Sequence, residues 1–142
     1  MGTLRTSPPP PRAVELRRWM LCHPQDLRAL RASLHEALTG DDDLVDGARL
    51  DEVPELVVLV ATELATNALR HGLPPTIVTL SASEGCFYLD VADHDLSTVP
   101  ELVDFQPTGS GGRGLQLALA LSLDVGWYAT DTTKHIWASF DR

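Results

Sequence analysis

The sequence predicts an α+β domain, a two-layer sandwich in which a mixed, mostly antiparallel sheet carries its helices on one face. Apolar residues recur with helical period over residues 24–38 and 54–72. They alternate with the period typical of strands over residues 76–83 and 86–93. Because the strands follow one another in pairs instead of alternating with helices, this order favours an antiparallel sheet over a doubly wound parallel one.

Length and composition limit the classes of function. The chain has 142 residues, which suits a single domain with its own core. Its net charge is −9, whereas nucleic-acid binders need clustered Lys and Arg, so we expect protein partners and no direct binding to nucleic acid or membrane. Cys22 and Cys86 match no metal-ligand spacing and are expected to be free thiols. The sequence contains no signal-peptide pattern and no membrane-length apolar run, which predicts a cytoplasmic protein.

The N-terminal residues differ from the rest of the chain. Residues 1–11 contain four consecutive prolines and almost nothing to bury, so we expect a disordered or polyproline-like tail. The domain is then expected to span residues 12–142, beginning with a strand from Val14 to Leu21 that ends before His23 and Pro24.

A first helix is predicted from Pro24 to Leu38, with Gly40 as the residue that ends it. Its core stripe consists of four leucines with helical spacing: Leu27, Leu30, Leu34 and Leu38. Arg28, Arg31 and His35 fall off this stripe and are expected to point outward, either as ordinary solvated side chains or as a surface for a partner.

A second helix is predicted from Asp51, as N-cap, to Gly72. Within it Glu63, Asn67 and His71 are four residues apart, so their side chains drift by only about 40° per step and share one face. A carboxylate beside a carboxamide suits a magnesium ion bound together with a phosphate. A solvated polar face is the alternative, although the surrounding residues are mostly apolar.

Two strands joined by a turn at Glu84 and Gly85 are predicted next, from Thr76 to Ser83 and from Cys86 to Asp93. Asp93 falls on the same face as the apolar residues of its strand. A carboxylate there either points back to water or accepts a hydrogen bond, for example from the exocyclic amine of adenine.

Residues 94–112 read as a lid or a disordered loop. The glycine-rich run 108–115 opens a helix predicted from Gly114 to Leu123, where backbone N–H groups could approach phosphate oxygens. A flexible linker is the alternative. Strands near 126–130 and 135–140 are then predicted to form a second hairpin.

The pattern E-L-x-x-N-A-x-x-H-G, which begins at Glu63, resembles the N box of the GHKL ATPase superfamily. In form it is most similar to small bacterial serine kinases that act as anti-sigma factors. The resemblance implies the GHKL, or Bergerat, ATP-binding fold with ATP and Mg2+ as cofactors. It also implies that Glu63 is the catalytic base, that Asn67 binds magnesium and ATP, and that His71 contacts ATP.

Three further segments resemble the family. Asp93 occupies the place of the adenine-binding Asp of the D-x-G-x-G motif, but His94-Asp95-Leu96-Ser97 follows it and both glycines are missing. The resemblance implies ATP contacts in a second glycine motif and in the closing hairpin. Those residues are Gly112, Arg113, Gly114 and Leu115 in the motif, and Thr133 and Lys134 in the hairpin.

The resemblance implies an ATP-dependent serine/threonine protein kinase in transcription regulation. It would phosphorylate an anti-sigma antagonist and control a sigma factor by partner switching, with a homodimer as a further expected assembly. Arg28 and Arg31 would then belong to the surface for partners. A non-catalytic module that binds nucleotide or partner is the alternative, and an unrelated α+β interaction domain is a third reading.

Overall fold

The computed structural model describes residues 2–3, 6, 13–39, 52–97, 101–102, 118 and 120–141. Within these residues the chain forms two helices and seven strands. In chain order they are β1 (Gly2–Thr3), β2 (Val14–Leu21), α1 (Asp26–Thr39), α2 (Glu52–His71), β3 (Thr76–Ala82), β4 (Cys86–Asp93), β5 (Glu101–Leu102), β6 (Asp124–Ala129) and β7 (Lys134–Asp141).

Five strands form one sheet in the order β2-β3-β4-β7-β6, and every neighbouring pair in it is antiparallel. The predicted α+β class is confirmed. The five strands of the described sheet pair antiparallel, and among the described residues a parallel pairing occurs only as the isolated bridge of Thr6 with Trp127. The reason for the antiparallel sheet is topological: β3–β4 and β6–β7 are hairpins, and β7 joins β4 in the antiparallel sense, with Leu89 opposite Ala138. A separate short ladder pairs Gly2–Thr3 with Glu101–Leu102.

Both helices pack on one face of this sheet, α2 over β3, β4 and β7 and α1 over β2 and α2. The predicted leucine stripe of α1 is confirmed, since Leu30, Leu34 and Leu38 are buried and Leu27 packs against the core. Each fully buried leucine contributes about 1.5–3 kcal/mol relative to an exposed one. On α2 the buried face is made of small and branched residues: Val57, Val60, Ala61, Leu64, Ala65 and Ala68.

Two element boundaries differ from the prediction. The first helix begins at Asp26 and not at Pro24, because the Asp26 carboxylate accepts the backbone N–H groups of Cys22 and His23 and closes a turn ahead of the helix. These hydrogen bonds lower the pKa of Asp26. The strand predicted near Gly126 begins at Asp124, and Gly126 pairs with Trp137 inside it.

Some predicted features fall mainly outside the described residues. In the helix predicted from Gly114 to Leu123, Ala118, Ala120 and Leu121 are helical and Ser122 and Leu123 are not, whereas the other residues are not described. In the tail, Thr6 forms an isolated parallel bridge with Trp127, and the four prolines that follow are not described, so the predicted disorder stays a prediction. Neither α1 nor α2 is long and apolar enough to cross a bilayer.

Candidate functional site

The C-terminal end of α2 touches the end of β4. The backbone N–H of Gly72 donates to the carbonyl oxygen of Ala68 over 2.9 Å and terminates the helix. A Cβ atom at Gly72 would lie 2.6 Å from both Cγ and Oδ2 of Asp93 and 2.8 Å from the Ala68 oxygen. A side chain of any size therefore conflicts with the carboxylate, which explains why this contact needs a glycine.

Asp93 is buried and held by two groups. Its side chain is 8% exposed, and its Oδ1 accepts the backbone N–H of Asp95 over 2.8 Å. Its Oδ2 lies 3.8 Å from Nζ of Lys134, whose side chain is 11% exposed. The register of β4 and β7 places these two residues directly opposite each other. The fold thus brings two of the predicted site residues together as a buried pair of opposite charge.

Thr76 extends this pair into a row across three strands. Ile77 pairs with Ala92, so the same register places Thr76 across from Asp93, on the face toward the helices. Thr76 is fully buried, and its Oγ1 has no hydrogen-bond partner in the described part of the chain. An unpaired buried hydroxyl costs about 1–3 kcal/mol, which a ligand with a suitable acceptor would recover.

Sequence reasoning missed Thr76 as a site residue. The available signal was its position at the start of an alternating buried row, since Thr76 shares a face with Val78, Leu80 and Ala82. A hydroxyl at the end of such a row parallels the carboxylate of Asp93 at the end of β4. The two ends become adjacent only through the antiparallel register.

Glu63 and Asn67 lie on α2 at the border of its buried face, and both are half-buried. Neither side chain forms a hydrogen bond with another described residue, whereas the hydroxyls of Thr62 and Thr66 bond to the backbone of their own helix. Their polar groups are therefore free to bind a ligand. His71 is the last residue of α2, and its side chain is outside the described structure.

The structure separates Thr133 from the other predicted hairpin residue. Its hydroxyl lies 2.7 Å from Nε2 of His135 and 2.7 Å from Oγ1 of Thr130. Because side chains alternate along β7, His135 faces away from the helices while Lys134 faces Asp93. The Thr133 hydroxyl is thus directed away from the row of Thr76, Asp93 and Lys134.

Side-chain hydrogen bonds hold the stretch after Asp93. Oδ1 of Asp95 accepts the backbone N–H of Ser97 over 3.0 Å and its hydroxyl over 2.5 Å. The backbone N–H of His94 donates to the carbonyl oxygen of Leu73 over 3.1 Å. An Asx turn therefore fixes the shape of this loop.

The remaining predicted site residues are four that the structure does not describe and two on α1. Gly112, Arg113, Gly114 and Leu115 are not among the described residues, so their proposed phosphate contacts stay predictions. Arg28 and Arg31 are exposed on α1, as the leucine stripe predicts.

Neither a family model nor a curated protein matches this sequence. The function is therefore inferred from the residues of the site.

Proposed function

We propose that the protein binds Mg·ATP, with the adenine ring against the buried row of Thr76, Asp93 and Lys134. The observation that carries this proposal is the row itself. Adenine presents an amine donor next to a ring nitrogen acceptor. Asp93 can accept from the amine, and the unpaired hydroxyl of Thr76 can donate to the ring nitrogen. Sites that recognise small molecules typically combine a small number of convergent polar groups with an apolar lining.

Asn67 and Glu63 fit the phosphate end of this ligand. Both lie on α2, the helix whose end contacts Asp93. The described residues contain no group of three or more His, Cys, Asp or Glu side chains that could hold a metal ion. Magnesium is usually bound by one or two protein ligands plus substrate phosphates and water, so the amide oxygen of Asn67 suits an ion that arrives with the nucleotide.

The reaction that this site supports best is phosphoryl transfer to a protein serine or threonine, as in the anti-sigma-factor kinases of the GHKL superfamily. The acceptor hydroxyl attacks the γ-phosphorus, its proton passes to the carboxylate of Glu63, and ADP leaves. Positioning and charge neutralisation supply most of the rate in such reactions. The acceptor would be an anti-sigma antagonist, and its phosphorylation would control a sigma factor by partner switching.

Loss of the Asn67 amide should abolish magnesium-dependent ATP binding. Isothermal titration calorimetry is expected to show that Asn67→Ala binds ATP at least tenfold more weakly than the wild type does with magnesium. Its affinity should equal that of the wild type in the presence of a chelator. Thr66→Ala is the matched control, because the Thr66 hydroxyl bonds only to the backbone of its own helix. Equal affinity of the wild type for GTP and ATP would contradict the adenine contacts of Asp93 and Thr76.

Glu63→Gln should keep ATP binding and reduce phosphoryl transfer by about 100-fold, since a base contributes about 10²–10⁴ and acts on the acceptor hydroxyl. The measurement is transfer of labelled phosphate to candidate antagonists, with binding followed in parallel. Nucleotide binding by the wild type without transfer to any antagonist would instead support a second function.

That second function is a non-catalytic module that binds nucleotide and partner. Hydrogen bonds between Asp95 and Ser97 favour this non-catalytic module, because they fix the loop after Asp93. The corresponding loop of the kinase motif contains flexible glycines. The half-buried carboxylate of Glu63 favours the kinase, because a pure binder has no need of a base near the phosphates.

The exposed arginines of α1 are proposed to contact the partner, because Arg forms bidentate pairs with carboxylates. Arg28→Glu combined with Arg31→Glu is expected to weaken partner binding at least tenfold and to leave ATP affinity unchanged. Arg70→Glu, at an exposed position on α2, is a control for a charge reversal elsewhere on the surface, and it changes the net charge by half as much. Unaltered pull-down of every partner by the double variant would remove this surface from the proposal.

A further inference from the structure

Three side chains on the face of the sheet away from the helices, which we call the far face, are joined by hydrogen bonds. Asp90 lies between Leu89 and Val91 on β4, which pack under the helices, so its side chain points to the far face. Its Oδ1 lies 2.7 Å from Nδ1 of His135, and Nε2 of the same ring lies 2.7 Å from Oγ1 of Thr133. A carboxylate, an imidazole and a hydroxyl thus follow one another in this order.

The pairing of β4 with β7 brings these groups together. His135 is opposite Ala92, and Asp90 is two residues before Ala92 on β4, so Asp90 and His135 are diagonal neighbours on one face. Diagonal neighbours are about 7–8 Å apart, a distance that two polar side chains can bridge. The turn between β6 and β7 supplies Thr133, two residues before His135. The arrangement therefore depends on strand register, which a local sequence pattern does not define.

The hydrogen-bond partners assign the proton on the His135 ring. A carboxylate only accepts hydrogen bonds, so Nδ1 of His135 carries the proton that Asp90 accepts. In the neutral ring Nε2 is then an acceptor, and the Thr133 hydroxyl donates to it. Oγ1 of Thr130 lies 2.7 Å from Oγ1 of Thr133 and donates to it in turn. The proton of the Thr133 hydroxyl is therefore directed at a base.

Tyr128 holds the imidazole in this orientation. Its ring is stacked on that of His135, with centroids 4.5 Å apart and planes 7° apart. Its hydroxyl donates to Oδ2 of Asp90 over 3.0 Å, so both carboxylate oxygens are engaged. Burial and the Asp90 charge raise the pKa of Tyr128, which keeps its hydroxyl protonated as a donor. The His135 ring cannot turn without breaking these contacts.

Thr133 is accessible, and its backbone is fixed. The residue is half-buried, and its neighbours Asp131 and Thr132 are exposed. The backbone N–H of Thr130 donates to the carbonyl oxygen of Thr133 over 2.8 Å, and the N–H of Thr133 donates to Oγ1 of Thr130 over 3.0 Å. A small molecule can thus reach Thr133, while the turn keeps its hydroxyl against His135.

The His135 ring also lines a cleft of about 230 Å³ on the far face. Asp90 and the aromatic rings of Tyr88 and Tyr128 line the same cleft. A cavity of about 150 Å³ can hold a benzene ring, so the cleft has room for a compact aromatic or aliphatic group. A substrate bound there lies beside the imidazole that holds Thr133.

The charges around the cleft favour a neutral substrate. Asp90 places a carboxylate in the cleft, and Arg18, which also lines it, is already paired with Glu15 over 2.7 Å. The net charge of the chain is −9. A phosphate or a carboxylate is therefore repelled, whereas an uncharged ester is not.

We propose that Thr133, His135 and Asp90 form a second reaction centre, which transfers the acyl group of small neutral esters to water. Oγ1 of Thr133 attacks the carbonyl carbon while Nε2 of His135 takes its proton, and the alcohol leaves with that proton. Water then attacks the threonine ester and gives a proton to Nε2. The bond between the carbonyl carbon and Oγ1 breaks, the proton returns to Oγ1, and the carboxylic acid leaves. Asp90 is the positioning residue, because it holds the tautomer in which Nε2 is an acceptor.

Reaction with p-nitrophenyl acetate in the absence of nucleotide tests the nucleophile. The wild type is expected to release p-nitrophenolate in a burst that matches the protein concentration, and mass spectrometry should locate the acetyl group on Thr133. Thr133→Ala should lose the burst, whereas Thr133→Ser keeps a hydroxyl and should retain it. Thr132→Ala is the matched control, because it removes an exposed hydroxyl from the same turn. A wild type without a burst, an acetyl group on another residue, or a full burst in Thr133→Ala would overturn the proposal.

The rate of the burst tests the base. His135→Gln is expected to slow it about 100-fold, since a general base contributes about 10²–10⁴. The wild-type rate should fall at acid pH, because a protonated imidazole cannot accept the hydroxyl proton. His23→Gln removes an exposed imidazole elsewhere and should react at the wild-type rate. Equal rates for His135→Gln and the wild type would show that His135 is not the base.

Asp90→Asn tests the positioning of the base. The amide can donate to Nδ1, which favours the tautomer with its proton on Nε2, so the burst is expected to be at least tenfold slower. Nitrogen chemical shifts of the His135 ring report this change of tautomer, which a loss of packing alone does not produce, and circular dichroism checks the fold. A burst at the wild-type rate with Nδ1 still protonated would overturn the role of Asp90.

Discussion

Gly72→Ala is expected to lower the free energy of unfolding by about 2 kcal/mol, within the range for overpacked sites, and to weaken ATP binding at least tenfold. The added Cβ would meet the Asp93 carboxylate at 2.6 Å and the Ala68 carbonyl oxygen at 2.8 Å, so α2 and the end of β4 have to separate. The same movement displaces the carboxylate that we assign to adenine.

Gly85→Ala is the matched control for this substitution. Gly85 lies in the turn between β3 and β4, and a Cβ there meets no atom within 4 Å. Chemical denaturation followed by circular dichroism, together with calorimetry of ATP binding, compares the two variants. If Gly72→Ala is as stable as Gly85→Ala and binds ATP normally, the contact between α2 and Asp93 does not define the site.

Asp93→Asn is expected to cost about 3 kcal/mol of unfolding free energy in the absence of nucleotide, because it removes the charge that faces Lys134 inside the protein. The amide also replaces one acceptor with a donor, so selectivity for ATP over GTP should fall. Denaturation measures the first effect and competition between the two nucleotides measures the second.

Lys134→Met provides the partner variant for a double-mutant cycle with Asp93→Asn. The sum of the two single variants' losses in unfolding free energy should exceed the loss of the double variant by at least about 1 kcal/mol, as is common for residues in contact. Strictly additive losses would show that the 3.8 Å pair contributes no coupling.

The elements that a local pattern can define were predicted well. The eight-residue strand Cys86–Asp93 has its predicted bounds, with Phe87, Leu89 and Val91 on the buried face and Asp93 at its end. The second helix begins at Glu52, one residue after its predicted N-cap, and ends at His71 before Gly72. Both elements are set by periodic burial and by end signals close in sequence.

The relation between strands could not be read in the same way. Alternation gives a strand its two faces but not the direction or identity of its neighbour. The position of Thr76 across from Asp93 was therefore not predicted at all. The same limit applies to Thr133, because a position beside Lys134 in sequence lies on the other face of the strand.

The pairing of β4 with β7 has a consequence for how this protein can change over evolution. These strands lie next to each other, yet Asp93 and Lys134 are separated by a connection that includes the glycine-rich run and β6. Closing a longer connection costs only about 0.6 kcal/mol per doubling of its length. Insertions within residues 98–117 should therefore leave the register of β4 and β7 intact, which would let this connection diversify while the row of Thr76, Asp93 and Lys134 is inherited unchanged.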